Sequence, residues 1–129
     1  MGYNSEVIIA VTKKAFNLHA DQEIRDTLKE YDVLILERNA IYYIIFEIVK
    51  WYDEYKEIKL FKEFISKCLE EDEDSAAFLR VGEEEGDIER RGDCSDFEIY
   101  PVTKASCPGG KRVSKNIFAC NSIRFIVEE

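Results

Sequence analysis

The sequence has few of the residues that mark the common kinds of chemical site. It contains one histidine and four cysteines, none of them in a CxxC pair, so a structural zinc site of familiar spacing is absent. A Cys-His or Ser-His catalytic pair could use only His19, which we expect to be a surface or capping residue. Neither GxGxxG nor GxxxxGK[ST] occurs, which removes the common nucleotide-binding loops.

Long hydrophobic runs are missing as well. No window reaches about 18 uncharged apolar residues, and the start MGYNSEV lacks the basic and apolar regions of a signal peptide. We therefore expect a cytoplasmic protein with no membrane contact and reduced cysteines, a disulfide or adventitious metal being the alternatives. With 129 residues, 46% hydrophobic and 35% charged, the composition predicts one globular domain over residues 1–129.

Negative charge is abundant and unevenly placed. The chain has 27 acidic and 18 basic residues, a net charge of −9. Residues 70–98 hold 13 of the acidic residues and only 3 of the basic ones. Nucleic-acid binding through a broad basic surface is disfavoured, and a basic protein surface is the complementary partner. The alternative is that these acids only keep the protein soluble.

Apolar patterning predicts alternating strands and helices. A β-rich run at 6–13 is apolar on both faces and predicts an interior strand. Between Asn17 and Tyr31 the apolar residues recur at helical spacing, which predicts a helix with its cap at Asn17 or Asp21. Strands are predicted at 32–38, 40–51, 76–81, 97–102 and 122–127, with a tight turn at Arg38-Asn39 and an edge position at Pro101. Asp53 is the predicted cap of a second helix that buries Ile58, Phe61, Ile65, Cys68 and Leu69 and ends at 70–74. Residues 106–115 are predicted to be a basic linker.

The order β-α-β-β-α-β predicts an α+β fold of ferredoxin-like type. In that arrangement an antiparallel sheet carries both helices on one face. One or two extra strands would follow near the carboxyl end.

The glycine-rich and acidic segment 82–96 predicts a long loop, and long loops in compact domains are often functional. Its candidate partner-binding residues are Glu83, Glu84, Glu85, Asp87, Ile88, Glu89, Arg90 and Arg91. The acids would steer a basic partner, and Ile88 would add short-range specificity. Arg90 and Arg91 would either pair with the carboxylates of the loop or contact the partner.

Three segments resemble a recurring pattern in small phage and prophage proteins: GYNSEVIIAV at 2–11, VKWYDEYKEIKLFKEFI at 49–65 and FLRVGEEEGDIERRGDCSDFEIYPV at 78–102. The resemblance covers roughly residues 2–104, and residues 105–129 extend beyond it. It implies a mobile-element origin and transfers no catalytic residue.

We therefore hypothesise a non-enzymatic phage or mobile-element protein, without cofactor or metal, that binds a basic surface of a host protein. It could inhibit a nucleic-acid-handling or defence complex. One alternative is a homo-oligomer that binds a nucleotide or other small molecule through Lys111, Arg112 and Arg124. Another is a metal-assisted hydrolase that uses the acidic loop.

Overall fold

A computed structural model describes residues 3–31, 33–84, 86–97, 99–101, 111–114 and 117–119. The strands are β1 (Ser5–Thr12), β2 (Val33–Arg38), β3 (Ile41–Val49), β4 (Ala76–Gly82), β5 (Ile88–Gly92), β6 (Ile99–Pro101), β7 (Lys111–Ser114) and β8 (Ile117–Ala119). The helices are α1 (Lys13–His19), α2 (Gln22–Glu30) and α3 (Lys56–Glu71), with a 3₁₀ helix at Cys94–Phe97. None of the described helices is both long enough and apolar enough to cross a bilayer.

The main sheet has five antiparallel strands in the order β2-β3-β1-β4-β5. Strands β6, β8 and β7 form a small second sheet with β6 at its edge, which agrees with the edge position predicted from Pro101. The α+β class and the antiparallel sheet are confirmed. The structure differs from the predicted ferredoxin-like fold in strand order and count, since β5 joins the sheet outside β4. It also has three helices among the described residues, where two were predicted.

Both faces of β1 are buried, as its apolar run predicted. Val7, Ile9 and Val11 face the three helices, whereas Ile8 and Ala10 face the 3₁₀ helix and the start of β6. We call these the helix face and the second face of the main sheet. All five residues are at most 1% exposed, so the core consists of two layers separated by the sheet.

The segment predicted as one helix after β1 forms two. Thr12 caps α1, because its Oγ1 accepts a hydrogen bond from Ala15 N at 3.1 Å. The backbone is extended at Ala20, and Asp21 then caps α2 by accepting from Ile24 N at 3.0 Å. The predicted cap at Asp21 is confirmed, and the alternative cap at Asn17 is wrong. The caps at Thr12 and Asp21 stabilise two short helices in place of one continuous helix.

Helix α3 buries the predicted face: Ile58, Phe61, Ile65 and Cys68 are at most 1% exposed, and Leu69 packs at the margin of the core. Its predicted cap is wrong. The helix begins after Tyr55, which makes no side-chain cap, and Asp53 pairs with Lys62 instead.

Asn39 and Ala40 form the two-residue turn between β2 and β3, one residue later than the predicted Arg38-Asn39, because Arg38 still pairs with Ile41. Their φ angles are +54° and +62°, which are the left-handed values of a type I′ hairpin turn.

The predicted loop at 82–96 is wrong over Ile88–Gly92, which pairs with β4 as the edge strand β5. An edge strand rich in charged residues has no apolar periodicity, so the sequence pattern hid it. Of the predicted strand at 97–102, Ile99–Pro101 is β6 while Phe97 belongs to the 3₁₀ helix. Lys111–Ser114, predicted as linker, is β7; the predicted strand at 122–127 lies outside the described residues.

Two glycines with positive φ provide a matched test of the β4–β5 hairpin. A Cβ at Gly92 (φ +71°) would lie 2.4 Å from Ala76 O, whereas one at Gly86 (φ +84°) would meet nothing within 4 Å. We expect Gly86→Ala to cost about 1–2 kcal/mol of backbone strain and Gly92→Ala to cost about 1–3 kcal/mol more through the backbone clash. Urea unfolding of both variants measures the difference, and equal losses would contradict this packing.

Candidate functional site

The acidic stretch 70–98 is divided between two ends of the main sheet. Residues 70–74 precede β4, and 83–87 follow it. In the β1–β4 ladder Val11 faces Ala76 and Ser5 faces Gly82, so the two acidic groups lie at opposite ends of a seven-residue strand, about 20 Å apart. One continuous acidic surface over 70–98 is therefore absent, and each end has its own chemistry.

Arg80 organises the acidic hairpin between β4 and β5. Its guanidinium donates to Asp87 Oδ1 at 2.7 Å, to Glu89 Oε1 at 2.9 Å and to Ser5 Oγ at 3.0 Å. The Arg80 side chain is only 15% exposed, and a buried charge requires such partners. Two of the predicted partner-binding acids therefore hold the hairpin in place.

Tyr3 closes the same network from the amino-terminal side. Its hydroxyl donates to Asp87 Oδ2 at 2.7 Å and accepts from Glu84 N at 2.8 Å. The hydrogen bond to Asp87 is the main reason that the pKa of Tyr3 is raised. The hydrogen bond from Arg80 and, to a smaller extent, the one from Tyr3 lower the pKa of Asp87. A Cβ at Gly82 would meet Asp87 Oδ2 at 2.1 Å and Tyr3 OH at 2.5 Å, so a side chain at this position would displace the hydrogen bond between them.

Sequence reasoning missed Arg80, although a signal was present. Arg80 is the one charged residue within the predicted strand at 76–81, and a charge in a buried strand must be paired. Arg90 and Arg91 were the arginines predicted either to pair with the carboxylates of the loop or to contact the partner. In the structure Arg91 donates to Ser66 Oγ on α3 at 3.0 Å, and Arg90 is exposed.

The remaining predicted partner-binding residues lie in different surroundings. Glu83 and Glu84 are exposed at the hairpin turn, and the Glu83 carboxylate accepts from Asn4 N at 2.7 Å. Ile88 packs against the second face of the sheet. Glu85 and Arg124 lie outside the described residues, and only the backbone of Lys111 and Arg112 is described.

A β-bulge lies next to the acidic hairpin. In the β1–β3 ladder Val7 faces Phe46 and Ser5 faces Val49, so Glu47 and Ile48 together oppose Glu6. Ile48 is 78% exposed, the highest value among the exposed large hydrophobic side chains. The sequence pattern predicted a continuous strand here and gave no sign of the bulge.

These residues border a depression of about 280 Å³. It is lined by Asn4, Ser5, Glu6, Glu47, Ile48, Val81, Gly82 and Glu83. We call it the acidic depression: three carboxylates and one exposed isoleucine line it, and none of the described lining residues is basic.

A second depression, of about 250 Å³, lies at the other end of the sheet. His19 Nε2 is 2.9 Å from Glu71 Oε1 there, and Cys68 and Ser75 also contribute to the lining. Burial raises the pKa of Cys68 to about 11, and Ser75 Oγ donates to Cys68 O at 2.8 Å. The thiol is therefore protonated and the hydroxyl engaged, an arrangement unsuited to nucleophilic catalysis.

Metal ligands are not grouped in the part of the chain that the structure describes, where no cluster of three or more His, Cys, Asp or Glu side chains could hold an ion. Cys68 and Cys94 are free and buried, as expected of reduced thiols; Cys107 and Cys120 lie outside the described residues.

Replacing Arg80 tests whether it orders the hairpin. We expect Arg80→Met to lower the free energy of unfolding by about 1–2 kcal/mol, a value discounted because both carboxylates are about one-third exposed. Hydrogen exchange at 83–89 should become faster. Arg90→Met is the control: its side chain is exposed, and we expect less than about 0.5 kcal/mol. Equal effects of the two variants would contradict the role of Arg80.

Acid should weaken the same network. Because the folded-state pKa of Asp87 is lowered, its contribution is complete above the unfolded-state pKa of about 3.9 and is lost as the pH falls through the folded value. The wild type should therefore exceed Asp87→Asn in free energy of unfolding at neutral pH, and the two should converge in acid. Urea unfolding between neutral pH and strong acid measures this, and a pH-independent difference would contradict it.

Comparison with known proteins identifies no relative of this chain. No protein-family model, no curated protein and no solved structure matches it. The resemblance of residues 2–104 to small phage and prophage proteins stays a prediction.

Proposed function

We propose that this protein is a non-enzymatic accessory protein of a phage or mobile element that acts in the host cytoplasm. It binds a basic surface of a host protein through the acidic depression and the adjoining hairpin. The observation that carries the proposal is the exposed Ile48 among the carboxylates of Glu6, Glu47 and Glu83.

Charge and shape both support this type of partner. Carboxylates at the rim of an interface accelerate association with a basic surface, and an apolar side chain at its centre adds affinity once water is excluded. Ile48 lies on the bulge of β3 and is 78% exposed, so a partner can reach it without rearrangement of the fold. Arg80 keeps the hairpin ordered beside it, which reduces the entropy lost on binding.

Binding to a basic surface of a host protein has a direct consequence for the nucleic acids of the host. Basic protein surfaces commonly bind nucleic acid, so an acidic protein seated there competes with the phosphate backbone. Inhibition of a nucleic-acid-handling or defence complex is the outcome that we propose, and it rests on the resemblance to phage proteins.

A pair of charge-reversed variants tests the site. Glu47→Lys/Glu84→Lys reverses one exposed acid of the acidic depression and one of the adjoining hairpin turn, and Glu70→Lys/Glu73→Lys reverses two exposed acids at the other end of the sheet. Both change the net charge equally, so they separate a located site from a general charge effect. Capture from bacterial lysate identifies candidate partners, and titration calorimetry with each purified candidate measures affinity.

We expect the first variant to weaken binding by about tenfold or more, with a reduced dependence on salt, and the second to bind nearly as the wild type does. Equal loss in both variants would show a nonspecific charge effect. Absence of any basic partner for the wild type would also overturn the proposal.

A further inference from the structure

Among the residues that the structure describes, no strand pairs with the outer side of β2, which ends the main sheet. Arg38 and Ile41 face each other across the two-residue turn. A pair that flanks such a turn is hydrogen bonded, and bonded pairs alternate with non-bonded pairs along the ladder. The N–H and C=O groups of Ile35 and Glu37 therefore point away from β3, toward the open edge.

The side chains of β2 do not protect this edge. Leu34 is 36% exposed and Ile35 is 45% exposed, and they lie on opposite faces of the strand. Charged side chains and proline commonly prevent edge strands from pairing, and in the sequence VLILER of β2 the only such residues are Glu37 and Arg38, next to the turn. The other edge strand, β5, carries Glu89, Arg90 and Arg91.

A groove of about 480 Å³ runs beside β2 on the helix face. Two cations, Arg25 and Lys29, lie in an otherwise apolar lining. The lining residues are Phe16, Arg25, Leu28, Lys29, Tyr31, Val33 and Ile35. The Arg25 guanidinium lies 4.9 Å from the ring centre of Phe16, and its Nε donates to Ala20 O at 3.0 Å. None of the described residues that line the groove is acidic, so its occupant should bring a carboxylate beside apolar side chains.

We propose that the occupant is a second copy of this chain, paired antiparallel through β2 about a two-fold axis at Ile35. In this register Ile35 of each copy faces the other, and Leu34 faces Leu36 of the other copy. Glu37 of one copy faces Val33 of the other, on the helix face where the groove holds Arg25 and Lys29.

This register satisfies three requirements at once. The N–H and C=O groups of Ile35 and Glu37 and the C=O of Val33 point outward in both copies, so the strands can form a short ladder. The Val33 N–H already donates to Tyr31 O at 2.9 Å. The exposed apolar side chains cover each other. The Glu37 carboxylate, which is 48% exposed and 3.0 Å from Lys13 of its own chain, gains cations in the groove. Because the paired segment is only six residues long, we expect a weak dimer with a micromolar dissociation constant.

Sedimentation velocity across the micromolar concentration range tests the dimer. Ile35→Lys should raise the dissociation constant by about tenfold or more, since two lysines would meet at the axis. Leu18→Lys is the matched control, because Leu18 is 60% exposed on α1 and does not line the groove; it should leave association unchanged. Circular dichroism checks that both variants fold.

Cysteine substitution tests the register. Residues facing each other in a bonded antiparallel pair have Cα atoms about 5.5 Å apart, within the range that a disulfide spans. On mild oxidation Ile35→Cys should therefore cross-link between copies through the introduced cysteine, as read by peptide mapping. Leu34→Cys should not, because Leu34 faces Leu36 of the other copy.

Monomeric wild type throughout the micromolar range would overturn the proposal, as would unchanged association of Ile35→Lys or equal cross-linking at Leu34. The Glu47→Lys/Glu84→Lys variant should still dimerise. Failure of the dimer and failure of the proposed host-protein site are thus separate results.

Discussion

The burial of β1 on both faces is the constraint on which the fold depends. Five consecutive residues, Val7 to Val11, are at most 1% exposed. Such a strand is stable only with a neighbour at each edge and a layer on each face, and the structure supplies β3 and β4 at the edges. On one face pack the helices, with Phe61 and Ile65 of α3 at their centre. The other face is covered by the chain around Phe97 and Ile99.

The second constraint is Arg80, the one charged residue of β4. Arg80 is paired in the ladder with Glu89, and its guanidinium also holds Asp87. These contacts convert a segment with little apolar character into a strand and a defined turn. A similar ion pair on an open surface would contribute little, but Arg80 is largely buried and hydrogen bonded on several sides.

The two proposed surfaces arise where this framework ends. At one place the β3 bulge exposes Ile48 among carboxylates, and at another the sheet stops at β2 with Ile35 exposed. The first is acidic and suits a basic partner; the second combines apolar side chains with Arg25 and Lys29 and suits its own copy. The two surfaces differ in charge and share no lining residue.

Local sequence determined the parts that depend on near neighbours. The apolar run of β1, the turn at Asn39, the Asp21 cap and the buried face of α3 were all predicted, because each depends on residues a few positions apart. Tertiary structure decided the rest. Strand β5 exists because β4 offers an edge and Arg80 a counter-charge, and neither is visible in the local pattern of Ile88–Gly92. The separation of the acids at 70–74 from those at 83–87 likewise follows from the length and direction of β4, since residues close in sequence are carried to opposite ends of a sheet by an extended strand.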